Sequence, residues 1–139
     1  MVLPVRFGRT DTEDVQVACL SSDSVGDPVC IRDEMTVTGR WRVEKADALS
    51  RDKMPAVGVI VSKTTPTTGI VRIVGPIDGM YSGMTVGEKV FIGKGGGIIQ
   101  PAPIPLEGES VRMQRFGLVL SPNVLWLTGE VAEIFTRIG

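Results

Sequence analysis

The sequence predicts a mainly β protein: a single small β-barrel or β-sandwich built from two pseudo-repeats, with an extended N-terminal arm and a short C-terminal helix or strand. Three observations carry this. Short β-branched runs alternate with clusters of Gly, Pro, Asp and Ser from Val15 to Thr128. Three blocks then recur in the same order 54 to 61 positions downstream, the mark of a duplicated unit. Gly26-Asp27-Pro28-Val29-Cys30-Ile31 matches Gly87-Glu88-Lys89-Val90-Phe91-Ile92, and Val57-Gly58-Val59-Ile60-Val61-Ser62 matches Phe116-Gly117-Leu118-Val119-Leu120-Ser121. Ile70-Val71-Arg72-Ile73-Val74-Gly75 matches Val124-Leu125-Trp126-Leu127-Thr128-Gly129. Finally, the chain has 139 residues, 42 % hydrophobic and only 5 % aromatic, enough for one core resting on Val, Ile, Leu and Met.

Residues 1 to 14 hold Pro4, Gly8 and a polar string from Arg9 to Asp14, and are expected to form an extended arm. The β domain spans 15–129, with pseudo-repeats 25–79 and 86–129, and a tail covers 130–139. Within it, Val15 to Leu20 opens the strands, and Asp23 to Pro28 is a turn cluster before the strand Val29 to Arg32. Trp41-Arg42-Val43-Glu44 alternates apolar and charged, as a strand with one wet face does. Lys45 to Lys53 has room for a turn or two of helix, too short to stand alone. Met54 to Ser62 and Gly69 to Gly75 are the strongest strands, and the polar run Lys63-Thr64-Thr65-Pro66-Thr67-Thr68 between them is expected to be a loop.

In the second unit Lys89 to Ile92 and Ile98 to Gln100 pair across a glycine-rich hairpin, and Pro101 to Pro105 is an extended linker. Arg112 to Leu120 and Val124 to Thr128 then form strands joined through Ser121-Pro122-Asn123. Gly58 and Gly117 occupy equivalent strand interiors, where a missing side chain signals a bulge or a close backbone approach. The two copies differ in one length: Gly58 to Gly75 is 17 positions and Gly117 to Gly129 is 12, with the surplus in the Thr-rich run. In the tail, Val131, Ile134, Phe135 and Ile138 follow helical spacing, although Val, Ile and Thr also suit a strand. Such a tail packs back on its own barrel or seeks a neighbouring subunit.

Chemistry is hard to find in these residues. Histidine is absent, which removes the commonest general base and metal ligand. No Ser-x-x-Lys occurs, and the glycine run around Lys94 lacks the spacing and following helix of a phosphate-binding loop. Acidic residues are scattered over loops, and Asp11, Glu13 and Asp14 lack the EF-hand spacing. Cys19 and Cys30 sit in apolar runs and are expected to be reduced thiols. No enzymatic activity, cofactor or metal is expected. Net charge is −1 with no basic stripe, so nucleic acid is not an expected partner. Neither a transmembrane run nor a signal peptide is apparent, so no membrane partner is expected, and synthesis and assembly are placed in a cytoplasm.

A resemblance follows from the order of the blocks. Gly26-Asp27-Pro28-Val29, Lys45-Ala46-Asp47-Ala48, Ala56-Val57-Gly58-Val59-Ile60, the strand end at Gly75, Met84 to Ile92 and Gln114 to Leu120 together resemble small β-barrel virion proteins of tailed bacteriophages. That group includes capsid decoration or cement proteins and head-fibre or tail-fibre domains, and the resemblance covers about residues 15 to 129. It implies a barrel or sandwich on the particle surface, commonly a trimer, and carries over no catalytic residue.

The expected function is a decoration protein that binds the major capsid protein as a homotrimer on the outer surface of the virion, and stabilises the shell. A fibre or tail-tip domain recognising a host-surface glycan or protein is the alternative, with a tail or neck connector behind it. Interface residues are sought where the copies differ and at the termini: Leu3, Val5 and Phe7 as arm anchors, Trp126 where the first copy has Arg72, and Thr64, Thr65 and Thr67 in the longer run.

Overall fold

A computed structural model describes residues 12–33, 35–128 and 135–139. Eleven strands follow in order: β1 (Glu13–Ala18), β2 (Pro28–Asp33), β3 (Trp41–Lys45), β4 (Ala56–Thr65), β5 (Thr68–Asp78), β6 (Lys89–Ile92), β7 (Ile98–Ile99), β8 (Ser110–Met113), β9 (Arg115–Ser121), β10 (Val124–Thr128) and β11 (Phe135–Ile138). The only helical element among the described residues is a 3-10 turn at Arg51–Lys53.

The first five strands close on themselves. β1 runs parallel to β3, and antiparallel pairs β3–β2, β2–β4 and β4–β5 lead round to β5, which pairs antiparallel with β1 again. Closure at Val17 and Ala18 pairs that end of β1 on both sides. β5 is long enough to serve two layers: its first part belongs to this barrel, and Val74 to Asp78 pair with β10, which continues the sheet through β9 and β6 to β7.

The duplication holds at the level of single hydrogen bonds. Gly26 N–H donates to the Ile60 carbonyl at 2.8 Å, and Gly87 N–H donates to that of Val119 at 2.8 Å. Ile60 N–H returns to Asp27 O at 3.1 Å, and Val119 N–H to Glu88 O at 3.0 Å. Val29 lies opposite Gly58 and Val90 opposite Gly117, each followed by an irregularity in the same place. Val59 faces Arg72 as Leu118 faces Trp126, and Ser62 faces Ile70 as Ser121 faces Val124. The two glycines do the same work. A Cβ on Gly58 would lie 2.5 Å from the Arg72 carbonyl oxygen, and one on Gly117 would lie 2.7 Å from that of Trp126. Only a residue without a side chain admits the partner strand so closely.

Several boundaries differ from the sequence expectation. The Thr-rich run is strand: β4 continues to Thr65, β5 starts at Thr68, and Pro66-Thr67 alone makes the turn. Threonine is polar but β-branched, and on an exposed hairpin its β preference decides. Both copies thus have two-residue tips, Pro66-Thr67 and Pro122-Asn123, and the surplus residues lengthen strands. That extension has a purpose, since Gly69 and Thr68 are the partners of Val17 and Ala18 at the far end of β1. Glu13 and Asp14 belong to β1, and Asp14 accepts two hydrogen bonds from Arg72 at 2.9 and 3.0 Å. The strand expected over Arg112 to Leu120 breaks at Gln114. At the C-terminus Phe135–Ile138 is a strand paired with β8, not a helix, so the tail packs back on its own domain. β-branched Thr136 and Ile138 and the open edge of β8 outweigh the helical spacing.

Two cores result. The barrel interior holds Val17, Cys19, Val29, Val43, Ile60 and Val71. A larger core between the copies gathers Val59 from the outside of β4 with Ile77, Val90, Ile92, Phe116, Val119, Leu125 and Leu127. Buried polar groups are paired where they join segments. Gln114 clasps Ala56, accepting its N–H at 2.8 Å and donating to its carbonyl at 2.9 Å. Asp23 accepts from Leu20 N–H and Lys45 N–H, tying the link after β1 to the end of β3.

Candidate functional site: two apolar hollows

The barrel is open at one end. Val15 and Val17 of β1, Ile31 of β2, Trp41 and Val43 of β3, Val57 of β4 and Val71 and Ile73 of β5 line a hollow of about 240 Å³. All five strands contribute, because inward positions alternate along each. Val17, Val43 and Val71 are the floor and are buried, while Trp41 at 45 % and Ile31 at 40 % exposure form the rim. The β2–β3 connection leaves from this end and carries Met35 and Val37, both exposed. A dry apolar cavity of about 150 Å³ accepts benzene, so this hollow has room for an aromatic or long aliphatic side chain.

The second hollow, of about 300 Å³, lies on the outer face of the β5–β10–β9 part of the large sheet. Val74, Leu118, Leu120, Trp126 and Thr128 line it. Leu125 and Leu127 point the opposite way into the core, which leaves Trp126 half-buried on the outer side. Its neighbour across the β10–β5 ladder is Pro76. Val74 is the register partner of both Glu13 and Thr128, so β1 begins and β10 ends beside this hollow.

Of the residues singled out in the sequence, Trp126 lines this surface. Thr64, Thr65 and Thr67 sit exposed at the β4–β5 tip, with Thr67 N–H donating to Thr65 Oγ1 at 3.3 Å. From Thr68 to Pro76 along β5 is roughly 25 Å at strand rise, so the threonines and Trp126 do not form one site. Leu3, Val5 and Phe7 lie outside the described residues. The barrel mouth was not found by sequence reasoning, since its lining comes from five separated segments. The signal that points to it is the contrast between copies at aligned positions: Val57 against Phe116 and Val71 against Leu125.

Titratable groups are held in structural roles. Cys19 and Cys30 are free, buried thiols. Burial, reinforced by the negative charge of Glu44, pushes the Cys30 thiol up to about 11. Burial also raises Cys19, whose Sγ faces the Pro66 carbonyl at 3.9 Å. Neither thiol forms an appreciable thiolate near neutrality. Burial first, and Asp27 second, raise the Tyr81 phenol, which donates to the Gly26 carbonyl at 2.7 Å. Among the described residues no three His, Cys, Asp or Glu side chains come together as metal ligands, and no helix is long and apolar enough to cross a membrane.

What this geometry can do is bury apolar side chains of another segment against a rigid β frame. No protein-family model matches the chain, and neither does any curated protein or solved structure.

Proposed function

We propose that this protein is a structural, non-enzymatic component of a tailed-phage virion, a decoration protein that docks on the major capsid protein at the outer face of the head and stabilises the shell. One observation carries the proposal: the duplicated β frame presents apolar surface outward at several places. These are the barrel mouth around Trp41, the outer face around Trp126, and the exposed Ile104, Leu106 and Ile138 near the C-terminus. Apolar surface of this kind on a rigid scaffold marks places covered in an assembly. A decoration protein needs this, because it stabilises a shell by burying interface across joints between subunits, and a standard joint buries roughly 1,600 Å². The resemblance of the block order to phage virion β-barrels supports this choice of particle, and a trimer is the symmetry such proteins commonly use.

Purified protein added to heads that lack it is expected to co-sediment at a stoichiometry matching the lattice and to raise the temperature at which the heads break open. Absence of binding to heads, together with binding to host cells, replaces this function with host recognition by a fibre or tail tip.

A further inference from the structure

We propose that the barrel mouth is a self-association site, in which the β2–β3 hairpin tip of a second copy enters the hollow. Val37 leads the tip with Met35 behind it, and the two copies exchange tips reciprocally. The contact pairs two copies whether or not the protein decorates a head.

The first observation is a knob beside the hole. The tip connects Ile31 to Trp41, the two residues on the rim, yet neither Met35 nor Val37 is among the residues lining the hollow of its own chain. Val37 is fully exposed, and Met35 is exposed as well. Backbone bonds hold the tip in that posture. Thr36 N–H donates to the Arg40 carbonyl at 2.8 Å, and Gly39 N–H to the Thr36 carbonyl at 2.9 Å. Arg40 N–H donates to Thr36 Oγ1 at 3.0 Å. A tip ordered in advance loses little freedom on docking. Met35 to Gly39 carry no charge, so their entry into an apolar space strips water from no ion.

The second is internal to the duplication. Ile31, Val57, Val71 and Ile73 line the hollow, and their counterparts Ile92, Phe116, Leu125 and Leu127 are buried in the core between the copies. The hairpins differ in parallel. The counterpart of β2–β3 is β6–β7, whose connection Gly93-Lys94-Gly95-Gly96-Gly97 has no apolar side chain at its tip. Hole and knob therefore occur together in one copy and are missing together from the other.

The third is charge. Asp33 and Glu34 precede the tip in sequence, and Arg40 and Arg42 follow it. In a twofold contact each surface meets its own copy, so the acidic strand of one hairpin can lie against the basic strand of the other. Reciprocity also selects the occupant. A foreign protein has to bring both a matching knob and a matching hole, whereas a second copy brings both by symmetry. The hollow of about 240 Å³ exceeds the cavity of about 150 Å³ that takes benzene, so it has room for the Val37 side chain and the end of Met35.

Two variants separate the halves of the contact. Val37→Asp removes the knob at a fully exposed position, and Val57→Phe fills the hollow with the residue type of the second copy. Sedimentation equilibrium of the full chain, from micromolar to near-millimolar concentration, is expected to show pairing. Trp41 emission, read in a Trp126→Phe background, should move to the blue as pairs form. Each variant alone should pair roughly tenfold more weakly or worse. An equal mixture of the two should recover association, through one intact knob in one intact hole. Pairing that survives in both variants places the contact elsewhere and overturns the proposal. A wild-type chain that stays monomeric throughout, or a mixture no more associated than its components, overturns it too. Val37→Asp alone decides the point if Val57→Phe does not fold.

Discussion

At the scale of single residues, the fold depends on places where nothing larger or less polar fits. Gly58→Ala and Gly117→Ala each drive a methyl into a backbone carbonyl of the neighbouring strand, so each is expected to destabilise by about 1–3 kcal/mol or more. Chemical denaturation should show losses of similar size, because the two glycines hold equivalent crossings. Gln114→Leu leaves the N–H and carbonyl of Ala56 buried without partners, at about 2–4 kcal/mol for the pair. Cys30, raised to about 11, should resist alkylation at neutral pH in the folded protein and react on unfolding, as mass spectrometry of labelled chains will register. Glu109 behaves oppositely. The Leu106 N–H first, and the Lys94 ammonium next, hold its carboxyl below its ordinary value of 4.5. A carboxylate depressed in the folded state stabilises fully above that ordinary value and loses its contribution as pH falls through the depressed one. Acidification should therefore free the Leu106 amide to exchange before the barrel amides do, and Glu109→Gln should remove that pH dependence.

Among the elements, the β4–β5 hairpin shows most clearly what sequence reasoning can and cannot extract. Its turn chemistry and alternating apolar residues were legible, but Lys63 to Thr68 read as loop because polarity stood in for exposure. Thr64 and Thr65 are exposed and yet strand, and only Pro66-Thr67 is turn. Their role is to carry β1, which pairs with Gly69 and Thr68, 52 and 50 residues away in sequence. Barrel closure was illegible for the same reason, as nothing local in Val15 to Ala18 says which strands will flank it. Deleting five residues from the tip, to match the length of β9–β10, should loosen β1. Hydrogen exchange at Val17 and Ala18 should rise by orders of magnitude while β9 and β10 stay protected. Replacing Thr64 and Thr65 by Val should move stability by only about 0.5 kcal/mol, since those side chains are exposed and in strand. The tail misled differently, because apolar spacing at 131, 134, 135 and 138 serves a helix or a strand until a partner edge decides. Truncation after residue 134 removes β11 from β8, and should speed exchange at Val111 and Met113.

For the whole molecule, the repeat was the most informative feature in the sequence, and the structure gives it a physical meaning as two copies of one set of strand registers fused along β5. The glycines and turns made the correspondence readable, since backbone constraints leave a residue signature. The hollows were not readable, because a cavity is defined by what distant side chains fail to fill. Sharing β5 also couples the copies: its barrel half faces Val71 inward, its other half sends Ile77 into the core between copies. Unfolding is expected to be a single transition, with equal midpoints for Trp41 and Trp126 emission. Ring closure by β1 has a further consequence in time. β1 leaves the ribosome before any of its partners, and its partners in β5 follow 50 to 61 residues later. At ~5–20 residues per second, Val15 waits several seconds for its partner Val71. Glu13, Asp14 and Gln16, interleaved with Val15 and Val17, keep the waiting strand soluble and poorly suited to pair with another nascent chain.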